Sequence, residues 1–197
     1  MQHDASDRQS GTGRLIFLIG PSGSGKDSLI DASRERLAAA GVEIARRVIT
    51  RSAEAKGEAA HGVTAEQFET LRAQGAFAMH WRANGLDYGI PRQLDQWLAA
   101  GRAVLVNGSR AYLAEARQRY PNLLAVRVEV RPEVLRERLL ARGRETAEEV
   151  ELRLARNARL QALNDPLVHV LDNSTSLEAA VAALFALLRD EGVLPQV

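Results

Sequence analysis

The chain has 197 residues, of which 46% are hydrophobic and 26% charged, and its formal net charge is +1. This length and balance predict one globular domain with a buried core, and the near-neutral charge argues against a nucleic-acid partner. The chain contains no cysteine, which excludes disulfides, thiolate metal sites and a catalytic thiol and fits the cytoplasm. No apolar run approaches the ~20 residues that cross a bilayer, so we expect no membrane partner.

The first elements surround a glycine-rich turn. Residues 1–13 are polar and rich in Ser, Asp, Gln and Gly, which predicts a disordered tail before a single domain over 14–197. The unbroken apolar run 15–19 is typical of a strand buried on both faces, as in a parallel sheet. The turn that follows leads into a predicted helix over 26–40.

The next stretch mixes extended and irregular segments. Residues 42–50 predict a second strand, and 52–62, which are mixed in charge, predict a loop. Thr64 and Gln67 have the spacing of a capping box, which predicts a helix that begins after Thr64 and ends at Gly75.

Short apolar runs and helical stretches alternate through the rest of the chain. Asn84-Gly85 predicts a turn that continues through Asp87-Tyr88-Gly89, and Pro91 suits the first turn of a helix. In chain order we predict a strand at 77–81, a helix at 91–100, a strand at 103–106, a helix at 109–119, a strand at 123–130, helices at 132–142 and 146–163, a strand at 167–171 and a helix at 176–189. This alternation predicts an α/β fold with three layers, a parallel sheet between helices on both faces.

The glycine-rich turn carries the strongest functional motif. It reads Gly20-Pro21-Ser22-Gly23-Ser24-Gly25-Lys26, which satisfies G-x-x-x-x-G-K directly between a predicted strand and a predicted helix. Small residues let backbone N–H groups converge on phosphates, and the helix N-terminus and the Lys26 ammonium add positive charge. The motif therefore predicts a P-loop that binds ATP, with Lys26 as a catalytic group.

The residue after the P-loop lysine is Asp27, where a hydroxyl residue that binds Mg²⁺ is usual. A carboxylate also binds Mg²⁺, directly or through water, although Asp27 could instead cap the helix. Ser28 is the nearest hydroxyl, but it points about 100° away around the helix. We expect Asp27 near the metal and both residues at the nucleotide.

Basic and polar residues near strand ends predict an acceptor site, since strand C-termini line the ligand crevice of a parallel sheet. Arg47 and Arg51 flank the end of the second strand, and arginines there suit an anionic acceptor, although a solvated basic edge is the alternative. Tyr88 lies between glycines and either contacts the ligand or packs at a simple turn. Asn107 ends the strand 103–106, and Arg110 follows close by in the same crevice.

Arginines also flank Gly143. Arg138 and Arg142 precede it and Arg153 lies on the next predicted helix, which suggests a lid over about 138–153 that closes on the transferred phosphate. The alternative is a solvated helix face whose arginines pair with neighbouring glutamates. We expect Arg138 and Arg142 to be catalytic and Arg153 to bind substrate.

These motifs together resemble the guanylate kinase superfamily, and within it the ribose 1,5-bisphosphate phosphokinase family of phosphonate breakdown. The residues that carry the resemblance, between about Leu15 and Leu160, are Gly20 to Ser28, Val48-Ile49-Thr50-Arg51, Gly57-Glu58, Trp81 to Leu86, Tyr88-Gly89, Val104 to Arg110 and Arg142-Gly143-Arg144-Glu145. The resemblance implies a guanylate kinase-like fold with an acceptor-binding segment over about 44–90.

The resemblance further implies that the γ-phosphoryl group of ATP is transferred, with Mg²⁺, to the 1-phosphate of ribose 1,5-bisphosphate, which gives 5-phosphoribosyl 1-pyrophosphate. It also places Arg51, Glu58, Tyr88 and Asn107 in the acceptor pocket. Two alternatives stay open: a guanylate-type nucleoside monophosphate kinase and an inactive binding module. A homodimer is compatible with the sequence.

Overall fold

The computed structural model describes residues 13–50, 60–161 and 165–196, with the backbone alone at 159–161. In chain order its elements are β1 (Leu15–Ile19), α1 (Lys26–Ala39), β2 (Val42–Ile44), β3 (Val48–Thr50), β4 (His61–Val63), α2 (Ala65–Ala73), β5 (Phe77–Ala83), β6 (Leu86–Pro91), α3 (Gln93–Ala99), β7 (Ala103–Asn107), a 3-10 turn (Arg110–Tyr112), α4 (Leu113–Arg119), β8 (Leu124–Glu129), α5 (Pro132–Ala141), α6 (Ala147–Gln161), β9 (Val168–Asp172) and α7 (Leu177–Asp190).

The central layer is a five-stranded sheet in the order β2-β7-β1-β8-β9, and all its pairs are parallel. Strand β1 lies in the middle, and Phe17 is in register with Val106 on one side and Ala125 on the other. Every residue of β1 is buried because both faces of the sheet are covered. The predicted parallel sheet is confirmed.

Helices cover both faces, as the three-layer prediction requires. On one face Ile16 and Leu18 pack with apolar residues of α1 and α7. On the other face Leu15 and Phe17 pack with α3 and α4, represented by Leu94 and Ala116. Successive side chains of β1 point to opposite faces of the sheet, so the strand packs into two separate apolar cores.

The predicted strand 42–50 is wrong as one element, because the chain changes sheets within it. Strand β2 pairs with β7, and the Ala45 N–H still donates to the Leu105 carbonyl. Strand β3 instead belongs to a second sheet in the order β4-β3-β6-β5. Arg46-Arg47 interrupt the apolar pattern where the chain leaves the first sheet, but the pattern does not record which partner strand each half will find.

The second sheet also corrects three boundaries. Strand β4 begins within the last two residues of the segment predicted as a loop over 52–62, and residues 52–59 of that segment lie outside the described part. The predicted turn ends at Gly85, after which β6 pairs back along β5, so Asp87-Tyr88-Gly89 is strand. Pro91 ends β6 and does not begin a helix, since α3 starts at Gln93.

The remaining helices begin close to their predicted caps. The Thr64 hydroxyl accepts from the Gln67 N–H at 3.1 Å while the Gln67 side chain accepts from Thr64, which confirms the capping box. The Thr146 hydroxyl likewise accepts from the N–H of Glu149 at the start of α6. Gly13, within the expected tail, is buried and donates to Leu98, whereas 1–12 are not described. Within the described ranges, every helix is too short or too polar to cross a bilayer.

Candidate active site

A cleft of about 740 Å³ opens at the carboxyl ends of β1, β7 and β8. It is bounded by the P-loop, by the second sheet and by the segment from α5 into α6. Eight of its lining side chains are cationic and two are carboxylates. The cationic ones are Lys26, Arg47, Arg110, Arg127, Arg142, Arg144, Arg153 and Arg156, and the carboxylates are Asp27 and Asp165. The cleft therefore favours an anionic ligand.

The P-loop has the backbone shape that its glycines predict. Gly25 has φ +85° and caps α1 without any side-chain hydrogen bond. A Cβ at Gly25 would lie 2.5 Å from the Asn173 amide nitrogen, so a larger residue does not fit there. The backbone N–H groups of Lys26, Asp27 and Ser28 donate to no acceptor in the described part of the chain. They are the free donors of a helix N-terminus, which is a ready site for phosphate.

Lys26 lies at the centre of this loop. Its ammonium group donates to the carbonyls of Gly20 at 2.9 Å and Pro21 at 3.2 Å, which uses two of its three donors. The pKa of Lys26 is lowered from 10.5 to about 8, mainly by burial; Asp27 opposes this shift, and the guanidinium groups of Arg47, Arg110 and Arg142 add to it. The lysine is thus a destabilised cation that an anion in the cleft would relieve.

The sequence analysis did not predict that Asn173 supports the P-loop. The buried Asn173 amide donates to the Ser24 carbonyl at 2.7 Å, and the Asn173 backbone carbonyl accepts from Arg138 at 2.9 Å. Arg138 lies beside the P-loop but does not line the cleft. Asn173 directly follows β9, so the rule that parallel strands end at the ligand edge was the signal that could have identified it.

Asp27 faces the end of β7 from the first turn of α1. Its carboxylate accepts a hydrogen bond from the Asn107 amide at 2.6 Å, and the Arg47 guanidinium lies 3.7 Å away. Arg47 also donates to the Asn107 backbone carbonyl at 3.1 Å. The Asn107 side-chain oxygen is buried without a partner among the described residues. Two predicted acceptor residues and the predicted metal ligand are therefore brought together.

Of the predicted lid arginines, Arg142 and Arg153 line the cleft, whereas Arg138 does not. Arg142 and Arg144 are exposed and make no ion pair in the part that the structure describes. Arg153 is half-buried and pairs with Glu145, while its Nε is buried without a partner there. Gly143, between the two helices, has φ +62°, and a Cβ added to it would meet no atom within 4 Å. Arg142 and Arg144 therefore flank an open turn at Gly143, and both line the same cleft as Lys26.

An aromatic wall closes the side of the cleft next to the second sheet. The rings of Trp81 and Tyr88 stack with centroids 5.7 Å apart, and the Trp81 ring centroid lies 5.4 Å from that of Tyr112. The Arg47 guanidinium sits 5.2 Å from the centre of the Tyr88 ring. Tyr88 thus lines the cleft and also fixes a cationic side chain beside it, which the turn interpretation alone did not predict.

The sequence did not indicate a group at the inner end of the cleft. Arg127 on β8 is buried and pairs with Glu129 at 2.7 Å, and the buried Asn157 on α6 accepts from Arg110 at 3.1 Å. The predicted acceptor residues Arg51 and Glu58 lie outside the described residues. Ser22 and Ser28, which we predicted at the nucleotide, line the cleft beside Lys26.

Comparison with solved structures confirms the fold. A crystal structure of guanylate kinase from Anaplasma phagocytophilum matches with a TM-score of 0.65 at 19% identity, and the match covers 92% of this chain and 87% of that one. At this low identity, the similarity concerns the fold alone. No family model matches the sequence.

Curated relatives give a much closer match in sequence. Ribose 1,5-bisphosphate phosphokinase PhnN from Azotobacter vinelandii is 64% identical over 177 residues, which are 90% of this chain and 96% of the relative. The protein of the same name from Pseudomonas paraeruginosa is 66% identical over 178 residues, with the same coverage. A more distant one, from Burkholderia pseudomallei, is 42% identical, and the match covers 89% of this chain and 95% of the relative. With this identity over nearly the whole length, the chain belongs to the ribose 1,5-bisphosphate phosphokinase PhnN family.

Proposed function

We propose that this protein transfers the γ-phosphoryl group of ATP to the 1-phosphate of ribose 1,5-bisphosphate. An oxygen of the sugar 1-phosphate forms a bond to the γ-phosphorus while the bond from that phosphorus to the β–γ bridging oxygen breaks. The products are 5-phosphoribosyl 1-pyrophosphate and ADP. The observation that carries the proposal is one cleft in which a P-loop with its Lys26 faces seven arginines, while the cleft lining includes only two carboxylates.

The two carboxylates are already engaged, which fits an acceptor that needs no general base. Asp27 is bonded to Asn107, and Asp165 is paired with Arg117. A phosphate acceptor has its second pKa near ~6 and is already ionised at neutral pH. What the reaction requires is positive charge between two anions and alignment of the reacting oxygen with the γ-phosphorus.

Each part of the cleft has a proposed task. The P-loop amides and Lys26 hold the ATP phosphates, and Arg142 with Arg153 stabilises the charge on the transferred group. Arg47, held by Tyr88 and by the Asn107 carbonyl, lies on the side of the acceptor. The arginines stabilise mainly the transition state, whereas the P-loop also binds the ATP phosphates in the ground state.

The donor set beside the P-loop fits Mg²⁺. Asp27 and the unpartnered Asn107 oxygen supply hard oxygen ligands, and no group of three or more His, Asp or Glu side chains gathers as a metal site in the described ranges. Mg²⁺ in phosphoryl transfer is usually held by one or two carboxylates, by waters and by the phosphates themselves. When bound, the ion would neutralise charge on the β- and γ-phosphates, and Asp27 would hold it directly or through water.

The test is product identification by phosphorus NMR with ATP, Mg²⁺ and ribose 1,5-bisphosphate, with guanosine monophosphate offered in a parallel sample. We expect a new pyrophosphate signal only with the sugar bisphosphate. Lys26→Ala should abolish it while retaining the fold, and the matched control Arg72→Ala, on the exposed face of α2, should not. Turnover of guanosine monophosphate alone would replace the proposal with a nucleotide kinase, and no ATP binding would favour an inactive module.

A further inference from the structure

Three elements bring polar side chains together at the inner end of the cleft. Arg110 comes from the turn after β7, Arg127 from β8, and Arg156 with Asn157 from α6. The Arg110 guanidinium donates to the Asn157 side-chain oxygen at 3.1 Å and so joins the sheet edge to the helix. We call these four residues the inner cluster.

Two donors of the inner cluster are buried without a partner among the described residues. One is the Nη1 group of Arg110, and the other is the amide nitrogen of Asn157, a residue only 7% exposed. A buried donor without an acceptor is costly and uncommon, because it loses its water without replacing it. Both donors belong to side chains that are bonded to each other, so one acceptor group could satisfy both.

Acidic residues balance only part of the positive charge of the inner cluster in the described part of the chain. Glu129 is paired with Arg127, and Asp165 with Arg117, so the nearby carboxylates are used. Arg110 and Arg156 make no ion pair within the described ranges. The pKa of Arg110 is lowered by its burial and by the neighbouring charges of Arg127 and Arg156. Such a cluster is suited to an anion with several acceptor oxygens.

On the basis of the proposed function, we infer that the inner cluster binds the 5-phosphate of the sugar acceptor. Arg153 and Asn157 are four residues apart on α6, so they project from the same face of the helix about one turn, ~5.4 Å, from each other. Arg153 would contact the phosphate at the reacting end, and Asn157 the phosphate at the other end of the pentose. The two unpartnered donors then select acceptors with a second phosphate.

The ATP phosphates do not account for this cluster. They already have the P-loop amides and Lys26, and these lie at the first turn of α1. Arg110 is close enough to lower the pKa of Lys26, and its guanidinium also donates to Asn157 on α6. The cluster therefore continues from Arg110, near the P-loop, to side chains of β8 and α6 that also line the cleft.

The experiment uses Asn157→Asp, which keeps the size of the side chain and its acceptor for Arg110 but replaces the free donor with negative charge. Binding of ribose 5-phosphate is measured by calorimetry in the presence of Mg²⁺ and a non-hydrolysable ATP analogue. We expect it to weaken about tenfold or more, with the KM for ribose 1,5-bisphosphate rising by a similar factor. Affinity for the ATP analogue should not change. The matched control is Asn122→Asp in the exposed loop before β8.

A second variant on another element guards against a folding defect in α6. Arg110→Gln should weaken ribose 5-phosphate binding in the same way, and the double variant should lose less than the sum of the two. Equal binding of ribose 5-phosphate by wild type and both variants would overturn the inference, as would a loss confined to ATP affinity.

The two proposals fail in different ways. If wild type converts ribose 1,5-bisphosphate and Asn157→Asp does so with the same KM, the inner cluster is not the 5-phosphate site although the function stands. If ribose 5-phosphate binds to wild type and not to the variant but no sugar bisphosphate is converted, the subsite stands and the proposed reaction is wrong.

Discussion

The pKa of Lys26 makes the affinity for ATP depend on pH in a range where ATP itself hardly titrates. A pKa of about 8 leaves roughly nine tenths of the lysine charged at pH 7 and roughly one tenth at pH 9. The terminal phosphate of ATP has its second pKa near ~6 and stays ionised throughout. If only the charged lysine holds the phosphates well, the apparent dissociation constant should rise about tenfold between these pH values.

The assay is calorimetric titration of the free protein with Mg²⁺ and a non-hydrolysable ATP analogue in buffers of different ionisation enthalpy. Because a bound phosphate raises the pKa of Lys26, binding should take up about half a proton at pH 8. Lys26→Arg is the matched control, since a guanidinium stays charged and should give a flat profile. An affinity that does not vary with pH in the wild type, without proton uptake, would refute the reasoning.

Lys26 should also make the stability of the fold depend on pH, but stability should rise with pH where the affinity for ATP falls. The lysine pKa is about 8 in the folded protein and 10.5 when unperturbed, so between these values the unfolded chain binds more protons. The free energy of unfolding should therefore rise with pH across that window, whereas below pH 8 the cost of burying the charge is fully present. The difference of pKa corresponds to ~3 kcal/mol, and the partly exposed side chain reduces our expectation to ~1–2 kcal/mol, measured by urea unfolding.

Three further changes test other parts of the site and its support. Asp27→Asn should raise the Mg²⁺ concentration for half-maximal activity about tenfold or more in a metal titration, and an unchanged requirement would remove Asp27 from the metal site. Arg142→Ala should lower kcat by ~10²–10³ with little change in affinity for the ATP analogue, because its charge is needed mainly in the transition state; a raised KM with normal kcat would contradict this. Gly108→Ala should destabilise the fold by ~1–3 kcal/mol in urea unfolding, since its Cβ would lie 2.3 Å from the buried Phe17 ring, and an unchanged midpoint would show that Phe17 can move.

The first strand, the P-loop and α1 could be predicted from the sequence because their signals are local. An unbroken apolar run, a glycine-rich turn and a helical stretch each require only a few neighbouring residues. The β5–β6 hairpin shows where local signals become ambiguous. Asn84 at φ 51° and Gly85 at φ 76° make the tight turn that their types predict. However, the same glycine signal extends the predicted turn to Gly89, which is a strand residue over which the Phe77 ring packs.

The P-loop could be predicted from its motif, whereas the inner cluster depends on contacts between distant segments. The place of Asn157 in the site depends on its hydrogen bond to Arg110, 47 residues earlier. The sequence of its own helix does not distinguish it from other polar residues. The sequence contains a weak indication of the role of Arg127. Glu129, two residues later, faces the same side of the strand and compensates the charge of Arg127. A charged pair at this spacing inside an apolar run indicates a strand whose end reaches a polar site.

The electrostatics of the cleft link these observations to one physical cause. The lowered pKa values of Lys26 and Arg110 both arise from burial and from like charges nearby, so the protein alone bears a repulsion that an anionic substrate removes. Arg142, after the end of α5, and Arg153, on α6, line the cleft and would be stabilised by substrate charge, while a small apolar cluster that includes Leu139 and Val150 packs between these two helices. We therefore expect the substrate's own phosphates to draw this arginine-bearing segment toward the P-loop, so that the charge needed for transfer is complete only when both anions are bound.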